Sequence, residues 1–208
     1  MTEIQFFEKI HQKYKESNLL MEDDNGFQIK RGMAHTVSSY LEDLFAVFIA
    51  TKINRKDIAY YVDKIISIRF NEGEKAKSFK PDLMIINNGQ LTHYFDLKSN
   101  LGWNRDAQEY LMNKDAFIKK IKGRPAWIRD KYDKSVQHLE ISENLKYHMV
   151  VVFGGNINQK TMDSNIHLAK NLKHVSIDVL HQKRKEESHS AINNEAFENI
   201  YKSLAIYL

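Results

Sequence analysis

The stretch from Ser78 to Asn100 constrains this chain more than any other. Two short apolar runs, Leu83 to Ile86 and Leu91 to Leu97, flank Asn87, Asn88, Gly89 and Gln90. Asn and Gly tolerate the positive φ of tight hairpin turns, so the stretch predicts two antiparallel strands joined by a turn. Each run carries charge at the end far from that turn. Asp82 opens the first, and Asp96 and Lys98 close the second.

Side chains alternate across a strand, so Asp96 and Lys98 share a face and Leu97 points to the other. The place of Asp82 depends on the loop. A two-residue loop of Asn88 and Gly89 sets Asp82 opposite Phe95, on the wrong face. A three-residue loop, Asn88 to Gln90, sets it opposite Asp96. The sequence therefore predicts the three-residue loop, or a bulge of equal effect. Two unpaired carboxylates side by side repel, so this register makes sense with a cation between them. Carboxylate oxygens, the Leu97 backbone carbonyl and waters suit Mg²⁺, a hard cation that keeps much of its hydration. Lys98 stands ready to stabilise a charged phosphate or help activate an attacking water.

Pro81 and Asp82, followed by Asp96, Leu97 and Lys98 with the two acids fourteen positions apart, resemble the PD-(D/E)xK signature of the restriction-endonuclease-like nucleases. The resemblance covers about residues 36–155. It implies that Asp82 and Asp96 bind Mg²⁺ and that Lys98 assists phosphodiester hydrolysis. It also implies a helix ahead of the sheet that adds an acid near the metal, and Glu42 is the matching residue. Glu42 has a second reading: with Ser39 it forms a capping-box pattern, reaching back to a helix N-terminal amide.

The rest of the chain reads as follows. Ile4, Phe6, Phe7, Ile10 and Tyr14 keep helical spacing, and residues 22–26 are a polar break. Val37, Tyr40, Leu41, Leu44, Phe45 and Phe48 form the clearest helical stripe. Residues 60–70, rich in aromatic and β-branched side chains, predict one strand. A helix is predicted over 105–122, with Lys114 the odd member of its stripe and Gly123 to Pro125 ending it. The continuous apolar run 147–153 predicts a central strand. A helix over 161–171, a strand over 174–180 and a helix over 195–208 complete the pattern. No linker interrupts it, so residues 1–208 read as one domain. The expected fold is α/β, a restriction-endonuclease-like core with a mixed central β-sheet and helices on both faces.

Net charge is only +4, but its distribution is uneven. Residues 113–134 carry eight basic residues against three acidic ones. Such a stripe suits a polyanion. Lys119, Lys120, Lys122, Arg124, Arg129 and Lys131 are the expected phosphate contacts, and Asn104 and Arg105, just after Lys98, the expected contacts nearest the chemistry. Trp127, among these cations, reads as a loop anchor or as a stacking platform for a base. With no Cys there are no disulfides and no thiolate metal site. No apolar run is long enough to span a membrane, and Met1 to Gln5 do not open a signal peptide. The expected setting is the cytoplasm.

These readings converge on a Mg²⁺-dependent endonuclease acting on double-stranded DNA, within its class a type II restriction endonuclease working as a homodimer, because one acid-acid-lysine set cuts one strand. A junction resolvase or repair nuclease of the same fold, or a DNA-binding protein that does not cut, are the alternatives.

Overall fold

A computed structural model describes residues 1–22, 37–101 and 106–205. The chain is α/β, with a mixed central sheet of mostly antiparallel strands and, among the described residues, five α-helices. In order these are α1 (Glu3–Glu22), α2 (Ser38–Ile53), β1 (Ala59–Val62), β2 (Ile66–Ile68), β3 (Lys77–Phe79), β4 (Leu83–Asn87), β5 (Gln90–Lys98), α3 (Ala107–Ile121), β6 (Pro125–Arg129), β7 (Val136–Phe153), α4 (Gln159–Asn171), β8 (Val175–His181) and α5 (Asn194–Leu204). The sheet runs β1-β4-β5-β7-β6-β2-β3, and β8 pairs β7 beside β6. Among the described strands only β5–β7 and β7–β8 pair in parallel.

Alternation along β4, β5 and β7 builds two cores. Leu83, Ile85, Phe95, Leu97, Val150 and Val152 face α1, α2 and α5. Met84, Leu91, Tyr94, Tyr147, Met149 and Val151 face α3 and α4. Both sides of the central strands are apolar because helices cover both.

Two expectations are corrected. Residues 60–70 are two strands, not one, because Asp63 takes a left-handed φ of 51° between them. Its N–H donates to the Asp82 carbonyl at 3.1 Å and its carboxylate pairs with Lys80. The chain then leaves for the far side of the sheet, where β2 pairs β3 and β6. The segment around Trp127 is β6 rather than a loop. Pro125 opens it, where a missing N–H costs least, and Ala126 and Ile128 are buried while Pro125 and Arg129 are exposed and Trp127 is half-buried.

Candidate active site

The turn between β4 and β5 has two residues, Asn88 (φ 47°) and Gly89 (φ 76°), with Asn87 opposite Gln90. Positive φ at both positions is what a type I′ turn requires, so the three-residue loop does not form. The parity is restored further along. Between Ile85/Ile86 and Leu91/His93 the register slips by one, leaving Thr92 as an extra residue whose Oγ1 donates to the Ile85 carbonyl at 3.1 Å. Below this β-bulge Leu83 pairs with Phe95. Asp82 therefore comes opposite Asp96, on the α3 face that also carries Lys98.

Asp82 Oδ2 accepts the Leu97 N–H at 2.6 Å, and the two carboxyls share a hydrogen bond. A residue's N–H and C=O leave a strand on the same edge, so the Leu97 carbonyl also lies on the Asp82 side. Asp96 Oδ1 accepts Lys98 Nζ at 2.5 Å. Its Oδ2 accepts Tyr110 Oη at 2.6 Å, from the first turn of α3, and Tyr147 Oη at 2.5 Å, from β7. Asp96 is 6% exposed. Burial, then the facing Asp96, pushes Asp82 up to about 7. Burial alone would raise Asp96 as well. The hydrogen bond from Asp82 and the Lys98 ammonium instead hold it well below the usual carboxylate range. Of the two carboxyls, Asp82 is the one that holds a proton more readily, while Asp96 stays ionised.

Behind the phenols sits Lys114, one turn beyond Tyr110. Its Nζ donates to Tyr94 Oη at 2.8 Å and lies 4.8, 5.3 and 4.8 Å from the ring centres of Tyr94, Tyr110 and Tyr147. Burial lowers its pKa below the ordinary lysine value. Lys114 does not reach out to water, as the stripe suggested; its ammonium fixes three phenols, two of which hold Asp96. None of Tyr94, Tyr110, Tyr147 and Lys114 was legible as part of a site. The only sequence signal was a Tyr and a Lys four apart on one helix face.

The capping reading of Glu42 fails. Val37 is the N-cap of α2, no side chain caps it, and Ser39 already lies within the helix. Glu42 is half-buried. Burial raises its pKa, reinforced by Asp63 and Asp43, against the pull of Lys80 and Lys98. The charges that act on it, Asp63, Lys80 and Lys98, place it in the electrostatic surroundings of the site. It does not join the aspartates: among the described residues no three His, Cys, Asp or Glu side chains are grouped to hold a metal ion. The donor set that does assemble is Asp82, Asp96 and the Leu97 carbonyl, all hard oxygens. Two carboxyls beside a main-chain carbonyl are the donor chemistry that suits one hard divalent cation.

The basic segment lies elsewhere. The first turn of α3 touches Asp96 through Tyr110, but its exit at Gly123 bonds the Ile141 carbonyl at 2.8 Å, and Ile141 pairs with Leu91. That is five residues back along β5, roughly 16 Å at strand rise. Lys119 and Lys120 are exposed there, as are Arg129 and Lys131 beyond. Lys122 Nζ is 3.0 Å from His174 Nδ1, and Arg124 is held by the Lys120 and Phe70 carbonyls at 2.8 and 3.2 Å. Trp127 is half-buried on β6 under the Arg69 guanidinium, 6.0 Å from its ring centre. Asn104 and Arg105 lie outside the described residues, as does the segment 23–36.

Comparison with family models, with curated proteins and with solved structures finds no match of this chain to any of them.

Proposed function

We propose that this chain is a Mg²⁺-dependent endodeoxyribonuclease with a restriction-endonuclease-like core, acting as a type II restriction endonuclease on a short site in double-stranded DNA and working as a homodimer. The observation that carries the reading is the bulge at Thr92. It spends a register slip to set Asp82 against Asp96, with Lys98 on the same face, although two facing carboxylates disfavour the fold. Nothing about binding alone asks for that arrangement.

In this reading Asp82, Asp96 and the Leu97 carbonyl hold the metal, with Glu42 at its margin. A bound Mg²⁺ supplies a water of lowered pKa and neutralises charge on the phosphate. Tyr110 and Tyr147 keep Asp96 Oδ2 occupied and so fix the direction in which Oδ1 is offered. Lys98 is one-third exposed on its side chain and presents its ammonium at the mouth of the pair. There it donates to an anionic phosphate oxygen as charge builds.

The test is cleavage of a plasmid by the purified chain with Mg²⁺, alongside Asp82→Ala and Lys98→Ala. Discrete bands from the parent and none from either variant, with DNA binding kept, are expected. Cleavage within about tenfold of the parent in either variant would sink the assignment. Cutting confined to four-way junctions would point to a resolvase, and a mobility shift without cutting to a binding protein.

A further inference from the structure

A cavity of about 460 Å³ lies along β8, across β7 from the acid pair. Its wall includes Val175, Ser176, Ile177, Asp178 and Val179 without a gap. A cavity over one face of a strand meets every second residue; one that meets five in a row looks at the strand edge-on. Among the described strands β8 pairs only with β7, and its last residue, His181, makes an isolated bridge to Ile192. The Tyr147 N–H donates to the His174 carbonyl at 2.8 Å, which sets the phase of the ladder. Ser176 and Asp178 turn their main-chain groups to β7, and Val175, Ile177 and Val179 turn theirs to the cavity. The far end of that edge is closed by the chain itself, since Asn193 Nδ2 donates to the Val179 carbonyl at 3.0 Å and Asn193 N–H to the Leu180 carbonyl at 2.9 Å. The main-chain groups of Val175 and Ile177 line the cavity.

We infer that this edge takes an extended peptide strand from a partner protein, added antiparallel to β8 between α4 and α5. Ile166, Ala169 and Leu172 of the α4 side give the groove an apolar wall, whereas Asp178 and Asn199 of the α5 side give it a polar one. The guest strand therefore alternates apolar and hydrogen-bonding residues. The charges at its ends follow from the groove. Lys146, which precedes the residue paired with Val175, and Lys170, in the last turn of α4, stand at the Val175 end. Glu195 opens α5 at the Val179 end. An antiparallel guest thus carries an acidic residue near its carboxyl end, over the lysines, and a basic residue near its amino end. A second copy of the chain does not fit, because its own β8 lies between the same two helices, which hold the two edges apart.

The probe is a fluorescent peptide of alternating threonine and valine with arginine at its amino end and glutamate at its carboxyl end, titrated with the full chain by anisotropy. Saturable binding is expected. N-methylation of the alternate amides that would face β8 should weaken it by about tenfold or more, because main-chain bonds carry strand addition. The Lys146→Glu, Lys170→Glu double variant should bind the peptide about tenfold more weakly and should prefer one with its end charges exchanged. Both lysines are exposed, so the fold is kept. No binding up to millimolar peptide, equal binding of the N-methylated peptide, or a chain dimer that these two substitutions dissociate would each overturn the inference.

Discussion

Thr92 Oγ1 donates to the carbonyl of Ile85 at the point where β4 and β5 lose step, and the candidate ligands on β5 reach the Asp82 face because Thr92 is set aside unpaired. Deleting Thr92 removes the bulge but keeps Leu83 opposite Phe95, so Asp82 still faces Asp96. The expected result is a folded protein, by circular dichroism, that still cleaves. Thr92→Val keeps the residue count and loses the hydroxyl's bonds to the Ile85 carbonyl and to His93 Nδ1, so it should cost about 1–3 kcal/mol in urea unfolding and leave cleavage intact. A folded deletion variant that no longer cuts would show that the facing of the two acids is not what the bulge supplies.

Glu42 separates structure from chemistry in the opposite way. No cap depends on it, so Glu42→Gln should shift stability by no more than about 0.5 kcal/mol. On the proposed function it should slow cleavage at low Mg²⁺ more than at high Mg²⁺. A lowered melting temperature with unchanged metal dependence would return Glu42 to a packing role.

The exposed lysines of α3 act at a distance from the acid pair. Lys119→Gln with Lys120→Gln should flatten the slope of log binding constant against log salt by about two units, on cognate and random DNA alike. Adding Lys122→Gln should change little, because its ammonium already faces His174. The single-turnover cleavage rate at saturating DNA should hold. An unchanged slope would move the duplex to another face.

Asp178 gives a pH signature independent of the acid pair. Burial raises it from an ordinary 3.8 to about 6. The folded state therefore holds its proton more tightly than the unfolded chain. The stability this gives is complete below about pH 4 and is lost as pH rises through 6. A shift of about two units corresponds to about 3 kcal/mol. Asp178→Asn, which cannot titrate, should gain on the parent by about that amount between pH 4 and pH 8 in urea unfolding. A constant difference across that range would remove Asp178 as the source.

Much of the scaffold is written locally. The stripe of α2, the turn signal at Asn88 and Gly89, and the unbroken run ahead of Gly154 each state their element within a few residues. The split at Asp63 and the strand β6 were hidden because both depend on partners far along the chain. The first half of β7 was hidden as well: among Gln137, His138, Glu140 and Glu143 only Leu139 and Ile141 alternate as apolar residues, and β5 and β6 beside it make it a strand. At the site, two correct local signals disagreed. Asn88 and Gly89 asked for a two-residue turn, while Asp82 and Asp96 asked for odd parity, and the bulge satisfies both. Lys114 was illegible for another reason: whether a lysine on a helix face meets water or three phenols is decided by what packs above it.

The parallel pairing of β5 with β7 joins Asp96 to Met149, about fifty residues later. On the ribosome, at roughly 5–20 residues per second, β5 emerges several seconds before the strand that covers its edge. The β4–β5 hairpin closes in microseconds, so Asp82 and Asp96 meet at once, while Tyr147, which satisfies Asp96, is still unsynthesised. Through that interval β5 shows a buried-type strand with one side unpaired, the kind of edge that recruits other chains. The nascent protein is most exposed to aggregation at the strand that carries its candidate chemistry.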